Sequence, residues 1–212
     1  MEGYEKSLEE LAEKYGRFEG SDLFGLVGIN SASPIINRID REIRTIPGHP
    51  HKDSIYRDFS TLWLNQAAFR ESVLAMYILA TSSEICVMDK IVAIEAKGWI
   101  YGAILADRLN LPLVVARKHG LLPAGTASKE YGHHDEMLRI HRDAISKGDK
   151  VLIVDDLIIS GESTRAAAYC VEALGGEVVK IIALADLDER EGKKLLKEEG
   201  YNVLTVITYP GQ

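Results

Sequence analysis

Cysteine is scarce in this chain: Cys86 and Cys170 are the two among 212 residues. They lie outside any C-x-x-C or metal-ligand spacing. That excludes a disulfide scaffold and a cysteine zinc site, and points to small core residues in a reducing compartment. Positive charge is also short, with 25 Lys and Arg against 32 Asp and Glu and a formal net charge of −7. Such a balance leaves no basic footprint for nucleic acid or an anionic membrane. No apolar run approaches the roughly 20 residues of a membrane helix. The opening MEGYEKSLEELAEKYG is charged throughout, unlike a signal peptide. Internal repeats and low-complexity tracts are absent. Two familiar phosphate-binding patterns are missing as well, the Walker G-x-x-x-x-G-K-[ST] and the Rossmann G-x-G-x-x-G. The expectation is a soluble cytoplasmic protein with neither a nucleic acid nor a membrane partner.

What is present is a chain 46% hydrophobic, long enough for one domain with a small appendage. Residues 5–15 have the spacing of a short amphipathic helix, followed by a Gly- and Ser-rich linker. Pro34 opens a second helix whose stripe is Ile36, Ile39, Ile43 and Ile46, ended by Pro47 and Gly48. His49 and His51 follow in a turn-rich loop, with no carboxylate or Cys at ligand spacing to make a metal site. An extended segment is expected at 55–59 and a long helix at 66–80. Strands at 90–95 and 113–116 flank a helix at 99–109. A long polar loop spans 117–132, and a strand-like alternation covers 137–141. Strands at 177–184 and 202–207 flank a helix at 189–199. The alternation predicts an α/β fold with an open, mostly parallel sheet flanked by helices.

The most informative stretch is VLIVDDLIISGEST, residues 151–164. Four apolar residues lead to Asp155 and Asp156. Three more apolar residues precede Ser160, Gly161, Glu162, Ser163 and Thr164, and a helical pattern follows. In an open α/β sheet, ligands bind beyond the carboxyl ends of the strands. A loop feeding a helix N-terminus offers unpaired N–H groups and a positive dipole end to a phosphate. The two carboxylates accept only, and suit sugar hydroxyls or the water shell of a magnesium ion. The plainer alternative is a buried strand whose acids cap the next helix.

The turn Glu95-Ala96-Lys97-Gly98 also follows a strand and precedes a helix, so it belongs to the same end of the sheet. Gly98 permits close backbone approach, and Lys97 brings a cation. Arg117 and Lys118 end the next strand and add two more charges for an anion.

The 151–164 stretch resembles the signature with which type I phosphoribosyltransferases bind 5-phosphoribosyl-1-pyrophosphate (PRPP). The resemblance to the adenine phosphoribosyltransferase family extends from Pro34 to the C-terminus. Tyr56-Arg57-Asp58 follows a Pro-rich entrance segment. Arg117-Lys118 through Leu122-Pro123 looks like that family's lid, and Glu130-Tyr131-Gly132 matches its Glu-Tyr-Gly. Four departures stand out: Lys97 in place of the usual Arg, Leu121 in place of a lysine, a lid a few residues shorter, and Ile-Ser-Gly-Glu-Ser in place of Ala-Thr-Gly-Gly-Thr. Glu162 is unfavourable beside a phosphate unless its side chain faces solvent.

The resemblance implies the type I phosphoribosyltransferase fold with a small hood, from about residue 34 to 60 plus the C-terminal segment, and a flexible lid loop. Residues 1–33 stand outside it as an extension. It implies transfer of the phosphoribosyl group of PRPP to adenine, giving AMP and pyrophosphate in purine salvage, with Mg2+ and as a homodimer. Asp155 and Asp156 are expected to hold the ribose hydroxyls and to meet the metal indirectly. Ile159 through Thr164, namely Ser160, Gly161, Glu162, Ser163 and Thr164 after Ile159, would cradle the 5′-phosphate. Ala96, Lys97, Gly98, Arg117 and Lys118 would take the pyrophosphate. Glu130 would act at the base, with Tyr131 closing over it. Ile55, Tyr56, Arg57, Asp186 and Leu187 would flank the purine. Relatives acting on 6-oxopurines usually carry a lysine near the last position. Asp186-Leu187-Asp188 has none and offers acceptors suited to a 6-amino group. The alternatives are a 6-oxopurine (hypoxanthine, guanine or xanthine) phosphoribosyltransferase and a non-catalytic PRPP-sensing regulator.

Overall fold

The structure is a computed structural model that describes residues 33–49, 52, 55–82, 87–118, 127–131 and 138–210, with 127–131 described by backbone alone. The expected N-terminal helix and linker, Cys86, His51, and the lid residues 119–126 and 132–137 lie outside the described residues. The chain divides into two units, Met1–Leu62 and Trp63–Gln212.

In the first unit, Pro34 starts α1 (Pro34–Glu42). A proline suits this place because the first N–H groups of a helix have no intrahelical acceptor. Ile35, Ile36 and Ile39 are buried. The helix stops at Glu42, short of the Pro47 expected from periodicity, and Ile43 turns extended. Strand β1 (Arg44–Pro47) pairs antiparallel with β2 (Ile55–Asp58), Thr45 opposite Arg57 and Ile46 opposite Tyr56. Arg44 forms an ion pair with Asp58 across this hairpin. The pairing partner is 14 residues away, so local periodicity has no view of it. Asp58 also accepts from the Ser60 hydroxyl at 2.6 Å and the Ser60 N–H at 3.0 Å, opening α2 (Ser60–Leu64). These hydrogen bonds, Ser60 first and then Arg44, hold the Asp58 carboxyl down at about 2.

The second unit is built on a seven-stranded sheet. Its elements are α3 (Gln66–Thr81), β3 (Lys90–Ile94), α4 (Gly98–Leu109), β4 (Leu113–Lys118), β5 (Ala127–Tyr131), β6 (Leu138–His141), β7 (Lys150–Ile158), α5 (Glu162–Ala173), β8 (Glu177–Leu187), α6 (Gly192–Glu198) and β9 (Val203–Tyr209). The strand order is β5-β6-β4-β3-β7-β8-β9. Pairings from β4 through β9 are parallel, while β6 runs antiparallel to both β4 and β5. After β3 the chain moves outward to β4. After β7 it moves outward the other way, to β8 and β9. The reversal falls between β3 and β7, and such a switch point opens a crevice beyond the strand ends.

Alternation along β3 assigns the helices to faces. Val92 and Ile94 join a core cluster with Ala166, Ala167, Cys170 and Val171 of α5. Ala93, between them, faces the other way. A Cβ on Gly102 of α4 would lie only 2.4 Å from the Ala93 Cβ, so α4 lies on the opposite face at glycine distance. Cys170 is buried with its thiol 3.6 Å from Leu138 O, in keeping with a core role.

Three elements of this second unit differ from the sequence expectation. The loop expected over 117–132 is strand at both ends, since β4 runs through Lys118 and β5 occupies Ala127–Tyr131. Its polar residues sit in an edge ladder, where period and composition are poor guides. Strand β7 continues past Asp155 and Asp156 to Ile158, and α5 begins at Glu162. The helix expected over 189–199 is a 3-10 turn, Asp188–Arg190, followed by α6 from Gly192.

Lys180 of β8 is fully buried and donates to Leu79 O at 3.0 Å and Ala80 O at 2.9 Å, at the C-terminal end of α3. Helix ends leave carbonyls without intrahelical partners, and a cation there also meets the negative end of the helix dipole. Lys180→Met keeps the length and removes the donor. We expect it to cost about 1–3 kcal/mol, read as a lower midpoint in urea unfolding. An unchanged or higher midpoint would show that burying the ammonium costs as much as its hydrogen bonds return.

Candidate active site

The turn after β3 is braced from the neighbouring strand. Glu95 N–H donates to Ala116 O at 3.0 Å, and the Glu95 carboxylate accepts from Lys118 N–H at 2.7 Å. Arg117 Nε lies 3.8 Å from the same carboxylate oxygen, and its guanidinium stands 5.3 Å from the Trp99 ring centroid. Trp99 is itself held by Nε1–H donating to Ala93 O at 3.1 Å. Glu95 thus braces the backbone at Lys118 and, with the Trp99 indole, the guanidinium of Arg117; neither Glu95 nor Trp99 is among the site residues expected from the sequence. The Glu95–Ala96 peptide is cis.

This turn meets the end of β7 through two residues. A Cβ on Gly98 would stand 2.9 Å from Val154 O, 3.0 Å from Asp155 Oδ1 and 3.1 Å from Asp155 Cα. Only glycine lets α4 begin this close to the acid. Lys97 Nζ lies 3.3 Å from Asp156 Oδ2. Lys97, Gly98, Asp155 and Asp156, two segments well apart in sequence, therefore form one cluster.

Both acids are buried, Asp155 at 6% exposure and Asp156 at 8%. Asp156 N–H donates to Asp155 Oδ1 at 2.9 Å. Burial first, and the Asp156 charge second, push the Asp155 carboxyl well above the usual carboxylate range. Asp156 Oδ2 is buried and receives no hydrogen bond, Lys97 being its ion-pair partner. Neither acid caps α5, so the plainer reading of the pair as helix caps is set aside.

From Ile158 the chain turns through exposed Ile159 and Ser160 to Gly161, whose φ of +78° is a backbone that glycine alone adopts cheaply. Glu162 is exposed at the first position of α5, so its carboxylate is in solvent. Ser163 is half-buried and Thr164 buried. The Glu162 N–H lies 3.5 Å from Ser160 Oγ, and the first helical bond runs from Arg165 N–H to Gly161 O at 2.8 Å. N–H groups earlier than that have no helical acceptor.

Glu130 and Tyr131 lie on β5, their backbones paired with Arg139 and Leu138 of β6; their side chains lie outside the described residues. Arg139 pairs in turn with Arg117. Glu130 and Arg117 thus occupy one row across three strands of the sheet. In the first unit, Ile55, Tyr56 and Arg57 are half-buried on β2; Arg57 Nη1 donates to Thr45 Oγ1 at 2.6 Å, and Tyr56 meets His49 edge-on at 5.2 Å.

Asp186 differs from the open acceptor expected. Its Oδ1 takes Lys193 Nζ at 3.0 Å, Thr205 Oγ1 at 2.5 Å and Thr208 Oγ1 at 2.8 Å. The carboxylate is nearly inaccessible and its charge is answered from within the fold. A lysine does stand near this position after all, brought from seven residues on. Sequence reading missed it because it looked for a lysine beside residue 187 rather than in the first turn of α6. Leu187 follows, half-buried, where β8 gives way to the 3-10 turn. Asp186, Asp188, Lys193 and Thr208 line a cleft of about 370 Å³.

A crevice with acids, a phosphate-shaped loop and a braced set of cations has counterparts among known proteins. Residues 85–210 match the model of the phosphoribosyl transferase domain. An adenine phosphoribosyltransferase of Thermotoga sp. is 43% identical over 173 residues, 81% of this chain and 99% of the relative. The crystal structure of the adenine phosphoribosyltransferase from Thermoanaerobacter pseudethanolicus superposes with a TM-score of 0.73 at 38% identity, covering 82% of this chain and 99% of that one. That of the Saccharomyces cerevisiae enzyme, complexed with an imino-altritol bisphosphate and adenine, gives 0.69 at 26% identity, covering 81% and 98%. By domain, by sequence and by fold, this chain belongs to the phosphoribosyltransferases, on the branch of the adenine phosphoribosyltransferases.

Proposed function

We propose that this chain transfers the phosphoribosyl group of PRPP to adenine, releasing AMP and pyrophosphate. The observation that carries the proposal is the meeting of Lys97 and Gly98 with Asp155 and Asp156 at the switch point. It sets a cation-bearing turn, a pair of acceptors and a helix N-terminus side by side. A sugar bearing a phosphate at one end and a pyrophosphate at the other needs those three. The relatives' names and the adenine in the yeast enzyme support the choice of base.

In the reaction, a ring nitrogen of adenine forms a bond to C1 of the ribose as the C1–oxygen bond to pyrophosphate breaks, with inversion. The nitrogen's proton is lost and the bonding electron pair leaves with pyrophosphate. Positive charge develops at C1, so the chain's work is positioning and charge stabilisation. Asp155 and Asp156 hold the ribose hydroxyls. Ile159 to Thr164 receive the 5′-phosphate through N–H groups and hydroxyls. Lys97, Arg117 and Lys118 answer the pyrophosphate charge, with Ala96 and Gly98 giving backbone access. Lys97 offers a point charge where an arginine would offer a fork. Glu130 assists at the base, and Tyr131 with the lid excludes water. The family resemblance assigns Ile55, Tyr56, Arg57, Asp186 and Leu187 to the purine, with the Asp186 carboxylate tied to Lys193.

Among the described residues, no cluster of three or more His, Cys, Asp or Glu is placed to hold a metal. A buried carboxylate pair with one oxygen lacking a hydrogen bond instead suits magnesium reached through the ribose hydroxyls or water. When bound with PRPP, such an ion supplies further neutralisation of the leaving group. Among the described residues no helix is long and apolar enough to cross a membrane. The cytoplasmic location and the homodimer, the latter readable by light scattering, remain part of the proposal.

Mixed with PRPP, magnesium and one purine at a time, the protein should yield nucleotide and pyrophosphate with adenine alone. Turnover confined to hypoxanthine, guanine or xanthine would move the assignment to the 6-oxopurine enzymes. Tight PRPP binding with no turnover on any base would favour the sensor.

Asp155→Asn combined with Asp156→Asn should lower kcat/KM by about 10²-fold or more, with the urea midpoint no lower than in the parent. Removing two crowded buried charges should not weaken the fold. Activity within a few-fold of the parent would take the pair out of the mechanism.

Lys97→Met should weaken product inhibition by pyrophosphate by about tenfold, the worth of one charge-assisted contact, and leave the KM for adenine in place. A rise in the adenine KM with unaltered pyrophosphate inhibition would place Lys97 at the base instead.

A further inference from the structure

The first turn of α6 touches the site at a point that none of the expected site residues covers. A Cβ on Gly192 would lie 2.2 Å from Ile159 O, 2.5 Å from Gly161 N and 2.6 Å from Ser160 C. All three are backbone atoms of the loop between β7 and α5, so no side chain can swing aside to make room. The contact is mutual. A Cβ on Gly161 would meet Gly192 O at 3.0 Å, Gly192 Cα at 3.3 Å and Leu196 Cδ1 at 3.3 Å. Both glycines are buried, and Leu196 is 2% exposed within the core cluster.

The neighbouring residue keeps α6 from yielding. Lys193 Nζ donates to Asp186 Oδ1 at 3.0 Å, Thr205 Oγ1 at 2.5 Å and Thr208 Oγ1 at 3.1 Å, tying the turn to the ends of β8 and β9. Leu196 anchors the next turn in the core. A side chain at 192 would therefore displace the loop rather than the helix.

We propose that Gly192 is a positioning residue for the 5′-phosphate: it sets the height and tilt of the Ile159–Gly161 backbone, and through it the N–H groups and hydroxyls offered to the phosphate. The proposal rests on the reading of Ile159–Thr164 as the phosphate cradle. Gly192 itself has no polar side chain and touches no substrate. Its effect is selective by location, since the loop it supports belongs to the phosphate end and the pyrophosphate cations belong to the turn after β3 and to β4. Displacing the loop by about 1 Å is enough to cost binding steeply, because hydrogen bonds to an anion depend on aim as well as distance.

The test measures ribose 5-phosphate and magnesium pyrophosphate separately by calorimetry, on the native chain, Gly192→Ala, Leu196→Val and Leu195→Ala. Leu195 is 43% exposed on the same helix and serves as the control. Gly192→Ala should weaken ribose 5-phosphate about tenfold or more and leave pyrophosphate within about twofold. In turnover the KM for PRPP should rise while the KM for adenine stays. Unchanged ribose 5-phosphate affinity in a folded Gly192→Ala protein overturns the proposal, as does an equal loss for both ligands. Should Gly192→Ala fail to fold, Leu196→Val decides. It thins the support beneath Gly161 and should weaken ribose 5-phosphate a few-fold with pyrophosphate unaffected; no difference from Leu195→Ala overturns the proposal. A native chain that binds neither ribose 5-phosphate nor PRPP overturns the phosphate-cradle reading itself, a result visible before any variant is made.

Discussion

Gly98 lacks a side chain because Asp155 occupies the space, and the rest of the site depends on that contact. The nearest approach a Cβ would make is 2.9 Å, to Val154 O. It lets α4 begin directly against β7, which in turn brings Lys97 within 3.3 Å of Asp156. A bulkier residue would separate the two central strands' loops and uncouple the cation from the acids. Strand order supplies the meeting place and glycine supplies the closeness. Neither alone would put a lysine and two buried carboxylates, more than fifty residues apart in the chain, into one cluster.

The electrostatics follow from the same packing. Two adjacent carboxylates buried at a strand end repel, and burial raises the cost of ionising either. Asp155 bears that cost, its carboxyl pushed up by burial and by Asp156. One lysine does not balance two acids, so the cluster is poised to accept further donors, and ribose hydroxyls are donors. On the other side of the turn the signs reverse. Glu95 is taken up in bracing Lys118 N–H and Arg117, while Lys97 pairs with Asp156. That leaves a cationic side for the pyrophosphate and an acceptor side for the sugar, divided by a single turn of chain.

Legibility in the sequence tracked how local each cause was. Four apolar residues before Asp155 made a buried strand plain, and the hydroxyl-Gly-hydroxyl spacing made its loop plain. Glu162 could be read as tolerable only if solvated, and it is exposed at the start of α5. Features set by distant partners were not legible. Helix α1 stops at Glu42 because Arg44 answers Asp58 across a hairpin. The polar stretch at 127–131 is strand because β6 lies beside it. Asp186 looked like a free acceptor because Lys193, Thr205 and Thr208 reach it only once β8, β9 and α6 have assembled. Gly192 looked like a helix position in a charged run, and nothing nearby in sequence announces the backbone pressed against it.

Two of the departures from the familiar phosphoribosyltransferase pattern, Lys97 and Glu162, then have a common physical explanation. An arginine in place of Lys97 would carry a planar fork into a space beside Asp156 Oδ2 where the backbone is already closed down by Gly98. A lysine fills that place with a compact charge that can turn from the acid toward an incoming pyrophosphate. Glu162, at the first turn of α5, sits where an acid is favourable to the helix dipole yet exposed, so its charge is largely screened by water before it reaches the loop. Both substitutions keep the sign pattern of the site, cation beside acids and open dipole beside the loop. What they change is geometry at residues whose side chains reach outward from the glycine-backed frame, and that frame is what the loops at 95–98 and 159–161 hold in common.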